Sequence, residues 1–157
     1  MKKVFVTYFT HSGNTKTVAE KICEQLNADL FEIKTVEIYP VKYNLVVDQA
    51  KKEITTNYRP ELLSTKENLN EYDIIVIGYP IWWYTCPMAI FSFLEQHDFK
   101  GKIILPFCTH EGSALSTSVE DIKKSVPTAI VKEGLAIRGS KVKESDSIIK
   151  AWLSKVL

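Results

Sequence analysis

Apolar and polar positions change period repeatedly along this chain, and each change marks an element. Val4-Phe5-Val6-Thr7-Tyr8-Phe9 is a short β-branched and aromatic run, the pattern of a buried strand. After it, Val18, Ala19, Ile22, Cys23 and Leu26 recur at helical spacing while Lys16, Glu20, Lys21 and Glu24 take the opposite face, which predicts an amphipathic helix. Leu30-Phe31-Glu32-Ile33-Lys34 alternates apolar and charged residues and reads as a strand nearer the sheet edge. From Thr35 to Asn70 the pattern weakens; Pro40 and Pro60 bracket an excursion with one short helix at Leu45, Val46, Ala50 and Ile54. Asp73-Ile74-Ile75-Val76-Ile77-Gly78 is apolar without alternation, so this strand is buried on both faces. Pro80 and Pro87 punctuate a loop over Tyr79–Pro87, and a helix carrying Met88, Phe91 and Leu94 follows. Lys102–Cys108 is the next strand, and Leu115, Val119, Ile122 and Val126 keep helical spacing until Pro127 stops it. Ala129–Val131 and Leu135–Ile137 read as one late strand broken at Glu133-Gly134, and Ile148, Ile149, Trp152, Leu153, Val156 and Leu157 share one face of a final helix. Strand and helix alternate throughout, which predicts an α/β fold with a parallel sheet covered on both faces. Ligands of such sheets sit beyond the carboxyl ends of the strands, at a topological switch point.

Length and composition narrow this picture. The 157 residues, 45% of them hydrophobic, suit one domain spanning 1–157 with a substantial core. A net charge of +1 with acids and bases interspersed gives no global field for nucleic acid. The three cysteines are far apart and form no Cys-x-x-Cys pair, so no metal site is expected and a reducing, cytoplasmic compartment is. The apolar run after Met1-Lys2-Lys3 is too short for a signal peptide or a membrane span.

The first strand runs into the first helix through Thr10-His11-Ser12-Gly13-Asn14-Thr15. The first backbone N–H groups of a helix have no internal partners and its dipole presents a positive end, so an anion is favoured there. Thr10, Ser12, Asn14 and Thr15 can each add a hydrogen bond, and Gly13 permits close backbone approach. An ordinary N-cap needs one such residue, whereas nearly this whole loop is of that kind; it reads as a phosphate cradle. It lacks the earlier Gly and the Gly-Lys-Ser/Thr ending of a nucleotide triphosphatase loop, and the three glycines of a dinucleotide fingerprint. No cysteine stands in it, so it holds a phosphate without an evident nucleophile.

Two more loops follow apolar strands and emerge at the same edge of a parallel sheet. Pro80, Ile81, Trp82, Trp83 and Tyr84 supply a run of aromatic rings; Thr109, His110, Glu111, Gly112 and Ser113 supply small polar groups and a glycine. With the cradle, they suit a flat aromatic heterocycle bearing one phosphate. These sixteen residues are the candidate cofactor-binding set, with no catalytic or metal-binding residue among them.

The motifs resemble the flavodoxin-like family over nearly the whole chain. Thr10–Thr15 matches that family's Thr-x-Thr/Ser-Gly-Asn-Thr loop, and Gly78-Tyr79-Pro80-Ile81-Trp82-Trp83-Tyr84 is similar to the Gly-x-Pro-x-Trp-x-Tyr stretch that packs on the flavin ring. Thr109–Ser113 occupies the place of the third flavin loop. The resemblance implies a three-layer doubly wound sheet, five parallel strands in the order 2-1-3-4-5, in the short form without a long insertion in the last strand. It also implies non-covalent FMN and electron transfer through it. Dedicated carriers of the family are strongly acidic, while this chain is close to neutral. An FMN-dependent NAD(P)H or quinone reductase and a non-catalytic flavin-binding module therefore stand as alternatives to the electron carrier, which leads. Redox proteins or a small-molecule acceptor are the expected partners of a monomer or weak dimer, with no nucleic acid and no membrane.

Some single residues sharpen these expectations. His110 stands either as a positive charge beside the flavin pyrimidine or as a solvated loop residue. Cys86 and Cys108 read as packing residues, and His97 as a cap at a helix C-terminus. None of Trp82, Trp83 and Tyr84 is glycine, so a positive φ in that turn is costly.

Overall fold

In the computed structural model, which describes residues 2–157, six strands form one sheet and every pairing is parallel. The chain runs β1 (Val4–Tyr8), α1 (Asn14–Leu26), β2 (Asp29–Glu32), α2 (Tyr43–Thr55), β3 (Ile74–Pro80), α3 (Met88–Glu95), β4 (Ile103–His110), α4 (Ser118–Ser125), β5 (Ile130–Val131), β6 (Leu135–Arg138) and α5 (Asp146–Val156). The spatial order is β2-β1-β3-β4-β5, with β6 also paired to β4. This is the flavodoxin-like order 2-1-3-4-5. The direction of winding reverses between β1 and β3, so the crevice of such a sheet opens there.

The apolar runs lack alternation because successive side chains feed two different cores. Phe5, Ile75, Ile77, Tyr79 and Ile104 join Ile90, Phe93 and Leu94 of α3 on one face. Val6, Tyr8, Val76, Leu105 and Phe107 join Val18, Ala19 and Ile22 of α1, and Ile149, Trp152 and Leu153 of α5, on the other. Three layers result.

The fifth strand position is shared by two short pieces, as the break at Glu133-Gly134 implies. Ile103 and Ile104 pair with Ile130 and Val131, and Phe107 to His110 pair with Leu135 to Arg138. Gly134 lies where a Cβ would come within 3.0 Å of Leu115 and Val119, and the carbonyl of Glu133 accepts the Trp152 indole N–H at 2.9 Å. The break also accommodates Pro106 inside a central strand. Ile104 turns its carbonyl toward β5, where it accepts from Lys132 N at 3.0 Å; Pro106, two residues on, faces the same way, into the break. Its missing N–H therefore removes no ladder bond.

Several boundaries differ from the sequence pattern. Tyr79-Pro80 and Thr109-His110 belong to strands rather than loops, because the ladder between β3 and β4 continues through Pro80↔Thr109. Leu115 falls outside α4, in a segment wound by positive φ at Ala114 and Ser116. The excursion's helix is three to four turns long, and Ile148 of the last helix and Leu157 just past its end face solvent. His97 is no charged cap: it packs against Phe93 with ring centroids 4.8 Å apart, its buried Nε2 has no partner among the described residues, and burial lowers its pKa.

Gly78 is paired with Phe107, and a Cβ there would fall inside the Phe107 ring. Gly78→Ala is expected to lower stability by about 1–3 kcal/mol, the range for overpacking a filled core. Urea denaturation should show the midpoint fall at unchanged slope, and adding Phe107→Leu should recover part of the loss because the ring is the obstacle.

Candidate functional site

The carboxyl ends of β1, β3 and β4 open into a cavity of about 800 Å³. From the first loop His11, Ser12 and Asn14 line it; from the second, Pro80, Ile81, Trp82, Trp83 and Tyr84. The third loop contributes Thr109, His110, Glu111, Gly112 and Ser113. Thr10, Gly13 and Thr15 of the first loop are not among the lining residues.

Gly13 sits at φ 97° at the N-cap of α1, a conformation glycine takes without strain. Its N–H donates to Thr10 Oγ1 at 3.1 Å, and its carbonyl receives both Thr17 N and Thr17 Oγ1 at 3.1 Å. The loop is thus held from within, while no side chain among the described residues caps the helix. The N–H groups of Asn14, Thr15 and Lys16 and the side chains of Ser12 and Asn14 have no hydrogen-bond partner among the described residues. Free donors at a helix start favour an anion. Thr15, only 1% exposed, pairs its hydroxyl with Thr109 Oγ1 at 2.8 Å and so ties the first loop to the end of β4.

Trp82 packs edge-on against Phe9, Tyr39 and His11, with centroids 5.5, 5.0 and 5.9 Å away. His11 Nε2 donates to the carbonyl of Pro40 at 2.7 Å, which fastens the excursion to the cradle. Beyond Trp82 the chain reverses: Trp82 N donates to Thr85 O at 2.9 Å and Thr85 N to Trp82 O at 3.2 Å. The two residues between, Trp83 and Tyr84, have φ of 51° and 69°. Such a two-residue hairpin with both central residues left-handed prefers Asn-Gly, so bulky rings carry a conformational cost. The cost that the sequence warned of is present twice over, and tertiary contacts hold it. Trp83 Nε1 donates to the Val47 carbonyl at 2.8 Å, and Lys51 Nζ stands 5.1 Å from the Trp83 ring centroid. The Tyr84 carbonyl accepts Thr117 N at 3.0 Å, and Thr85 Oγ1 donates to Asp121 Oδ2 at 2.6 Å.

In the third loop His110 Nδ1 accepts the N–H of Gly112 at 2.9 Å. A ring nitrogen that accepts carries no proton, so the imidazole is neutral with its proton on Nε2. Burial first and the nearby Arg138 guanidinium second push its pKa down, while Glu111 opposes them. The positively charged His110 considered from the sequence is therefore replaced by a neutral one. Cys86 and Cys108 are fully buried and their thiols are pushed up by burial, so neither is a reactive thiolate.

Two features escaped the sequence reading. Tyr43, Val46, Val47 and Ala50, spaced i, i+3, i+4 and i+7 on α2, form a further wall of the cavity. Their periodicity was visible, but the same stripe also serves the core, where Val46 and Ala50 are buried. Gly139, just past β6, lies where a Cβ would collide with the Glu111 carboxylate and come within 2.7 Å of Asn14 Nδ2. A lone glycine after a strand carries no mark of that crowding.

A family model described as Flavodoxin matches residues 3–156. The fold superposes on a crystal structure described as a flavoprotein from Bacteroides eggerthii with a TM-score of 0.88 and 34% identity, covering 99% of this chain and 98% of that one. A Lactobacillus acidophilus flavoprotein solved in complex with FMN gives a TM-score of 0.77 at 28% identity, covering 92% of this chain and 98% of that one. In sequence the chain is 30% identical over 108 residues to a flavodoxin of Haemophilus influenzae; the match takes in 66% of this chain and spans about half (48%) of that curated relative.

Two expectations follow from the second and third loops. Tyr84 is 64% exposed and its side chain makes no hydrogen bond among the described residues, so Tyr84→Gly removes left-handed strain at little loss of contact. Ligand-free protein should gain about 1 kcal/mol in urea denaturation; Trp83→Gly should gain less, since the indole bond to Val47 is lost. His110 should titrate below the ordinary histidine value of 6.5 in an NMR titration, and Glu111→Gln should lower it further. The sign for stability follows: a histidine whose native pKa is depressed contributes fully above 6.5, and its contribution is lost as pH falls from there through the native value.

Proposed function

This chain belongs to the flavodoxin family, and on that premise we propose that it binds FMN non-covalently in the cavity and serves as an electron carrier. The observation that carries this reading is the meeting, in one cavity, of unpartnered donors at the start of α1 and a wall of aromatic rings. The residues fit the group: the cradle offers donors for a single phosphate, and the second loop and α2 offer apolar surface for a flat ring.

Bound FMN supplies reversible uptake and release of electrons at its ring. Ser12, Asn14 and the backbone N–H groups of Asn14 to Lys16 hold the phosphate, and Gly13 lets the backbone approach it. Ile81, Trp82 and Trp83 exclude water from the ring, and His110, neutral and protonated on Nε2, offers a donor without adding a positive charge. The balanced charge of the chain favours a second reading, in which the acceptor is a small molecule rather than a basic protein surface. Three free cysteines are in keeping with a reducing, cytoplasmic setting.

Purified protein mixed with FMN should retain the flavin absorbance through gel filtration; loss of all flavin in that step overturns the reading. Asn14→Ala should weaken FMN by about 1.5–3 kcal/mol, the worth of a hydrogen bond to a charged acceptor. Riboflavin, which lacks the phosphate, should be almost unaffected. Equal losses for both ligands would place the phosphate away from the cradle.

A further inference from the structure

Just past β2 the chain makes an antiparallel bridge, Thr35 with Leu62. Val36 N donates to Glu61 O at 2.9 Å and Leu63 N donates to Lys34 O at 2.7 Å, so the bridge is closed on both sides. Opposed residues of such a pair share a face, and successive residues alternate between faces. Thr35 and Leu62 therefore point inward, where Leu62 is buried, while Lys34, Val36, Glu61 and Leu63 point the other way and all four are exposed. The apolar surface continues beyond the bridge. Val36 and Tyr58 line one small cleft, and Ile38 and Val41, at 92% and 90% exposure, follow in the same segment. None of these residues lines the cavity at the ends of β1, β3 and β4.

Val36, Ile38, Val41, Tyr58 and Leu63 together leave on the order of 500 Å² of apolar side chain in water. A standard-size interface buries about 800 Å² on each partner, somewhat more than half of it apolar, so this face carries the apolar share of one interface. Its charges say which partner fits. Lys34 and Glu61 occupy opposite corners of the outward face and Val36 and Leu63 the other two; neither charge has an ion-pair partner among the described residues. One charge of each sign offers nothing for a strongly acidic or basic surface to recognise, whereas a copy of the same face meets both. A two-fold axis along the diagonal from Val36 to Leu63 lays Lys34 of each copy on Glu61 of the other, and each apolar residue on its own counterpart. We propose that this face joins two copies of the chain in a two-fold dimer, with the lining of neither cavity in the contact.

Sedimentation velocity from about 1 μM to 1 mM protein reads the association of the wild type, Leu63→Asp, Lys34→Glu and the double variant Lys34→Glu/Glu61→Lys. Every substituted position is exposed, so the variants keep the fold. The wild type should pass reversibly from monomer to dimer within that range. Leu63→Asp sets two carboxylates against each other at the axis and should abolish the dimer. Lys34→Glu turns both attractive contacts into repulsive ones and should raise the dimer Kd by roughly tenfold or more. The double variant exchanges the two charges and should recover wild-type association. Lys150→Glu makes the same change in net charge on α5, which packs on the other face of the sheet, and should be silent. A wild type that stays monomeric throughout overturns the proposal, as does a dimer that Leu63→Asp leaves intact, which would place the contact elsewhere. A double variant that fails to recover overturns the pairing of Lys34 with Glu61 across the axis. The measurement needs no ligand, so its outcome is independent of the FMN reading.

Discussion

Parallel pairing is the constraint on which the rest of this molecule depends. Tyr8 lies beside Gly78, Gly78 beside Phe107 and Phe107 beside Leu135, so four strands reach the same level pointing the same way. The loops that follow have no choice but to meet at one edge. A parallel sheet also needs helical crossovers, and those crossovers cover both faces, which is why the strands are apolar without alternation. One sequence property, unbroken hydrophobicity, thus accounts for both the layering and the location of the cavity. The steric cost of that close pairing appears at Gly78, where the neighbouring Phe107 ring leaves no room for a side chain.

Backbone strain is distributed unevenly. Away from the cavity, positive φ falls to Asn27, Asn57, Asn68 and Gly101, residues suited to it. Beside the cavity it falls to Gly13 and Gly112 but also to four residues that bear a side chain, Trp83, Tyr84, Ala114 and Ser116. Each such residue costs about 1–2 kcal/mol, and the cost persists only where surroundings over-determine the conformation. Here they do: Thr117, which follows the strained Ser116, donates its backbone N–H to the carbonyl of the strained Tyr84, and Asp121 accepts from the hydroxyls of both Thr85 and Thr117. The second and third loops therefore restrain one another, and neither conformation is a property of its own sequence.

That mutual dependence explains what could and could not be read beforehand. The loop Thr10–Thr15 was legible because its chemistry is local: a glycine and a row of hydrogen-bonding side chains before a helix. The strands were legible from hydrophobic runs, and the break in the last one from Glu133-Gly134. The left-handed turn at Trp83-Tyr84 was not, since local preference argues against it and bonds to Val47 and Thr117 decide the matter. The contribution of α2 was hidden because one stripe of residues serves the core and the cavity together. The charge of His110 turned on a backbone N–H two residues away and on Arg138 across the neighbouring strand, neither of which composition reveals.

The strand made first is also the one that must wait. β1 lies between β2, which follows it closely, and β3, and Lys3 finds its hydrogen-bond partner Asp73 at a separation of 70 residues. At a synthesis rate of about 5–20 residues per second, that interval lasts roughly 4–14 s. Throughout it, one edge of a strand destined for the middle of the sheet has no neighbour. The nascent chain is open to mispairing along that edge until β3 arrives, and the ligand edge, which also needs the end of β4, follows later still.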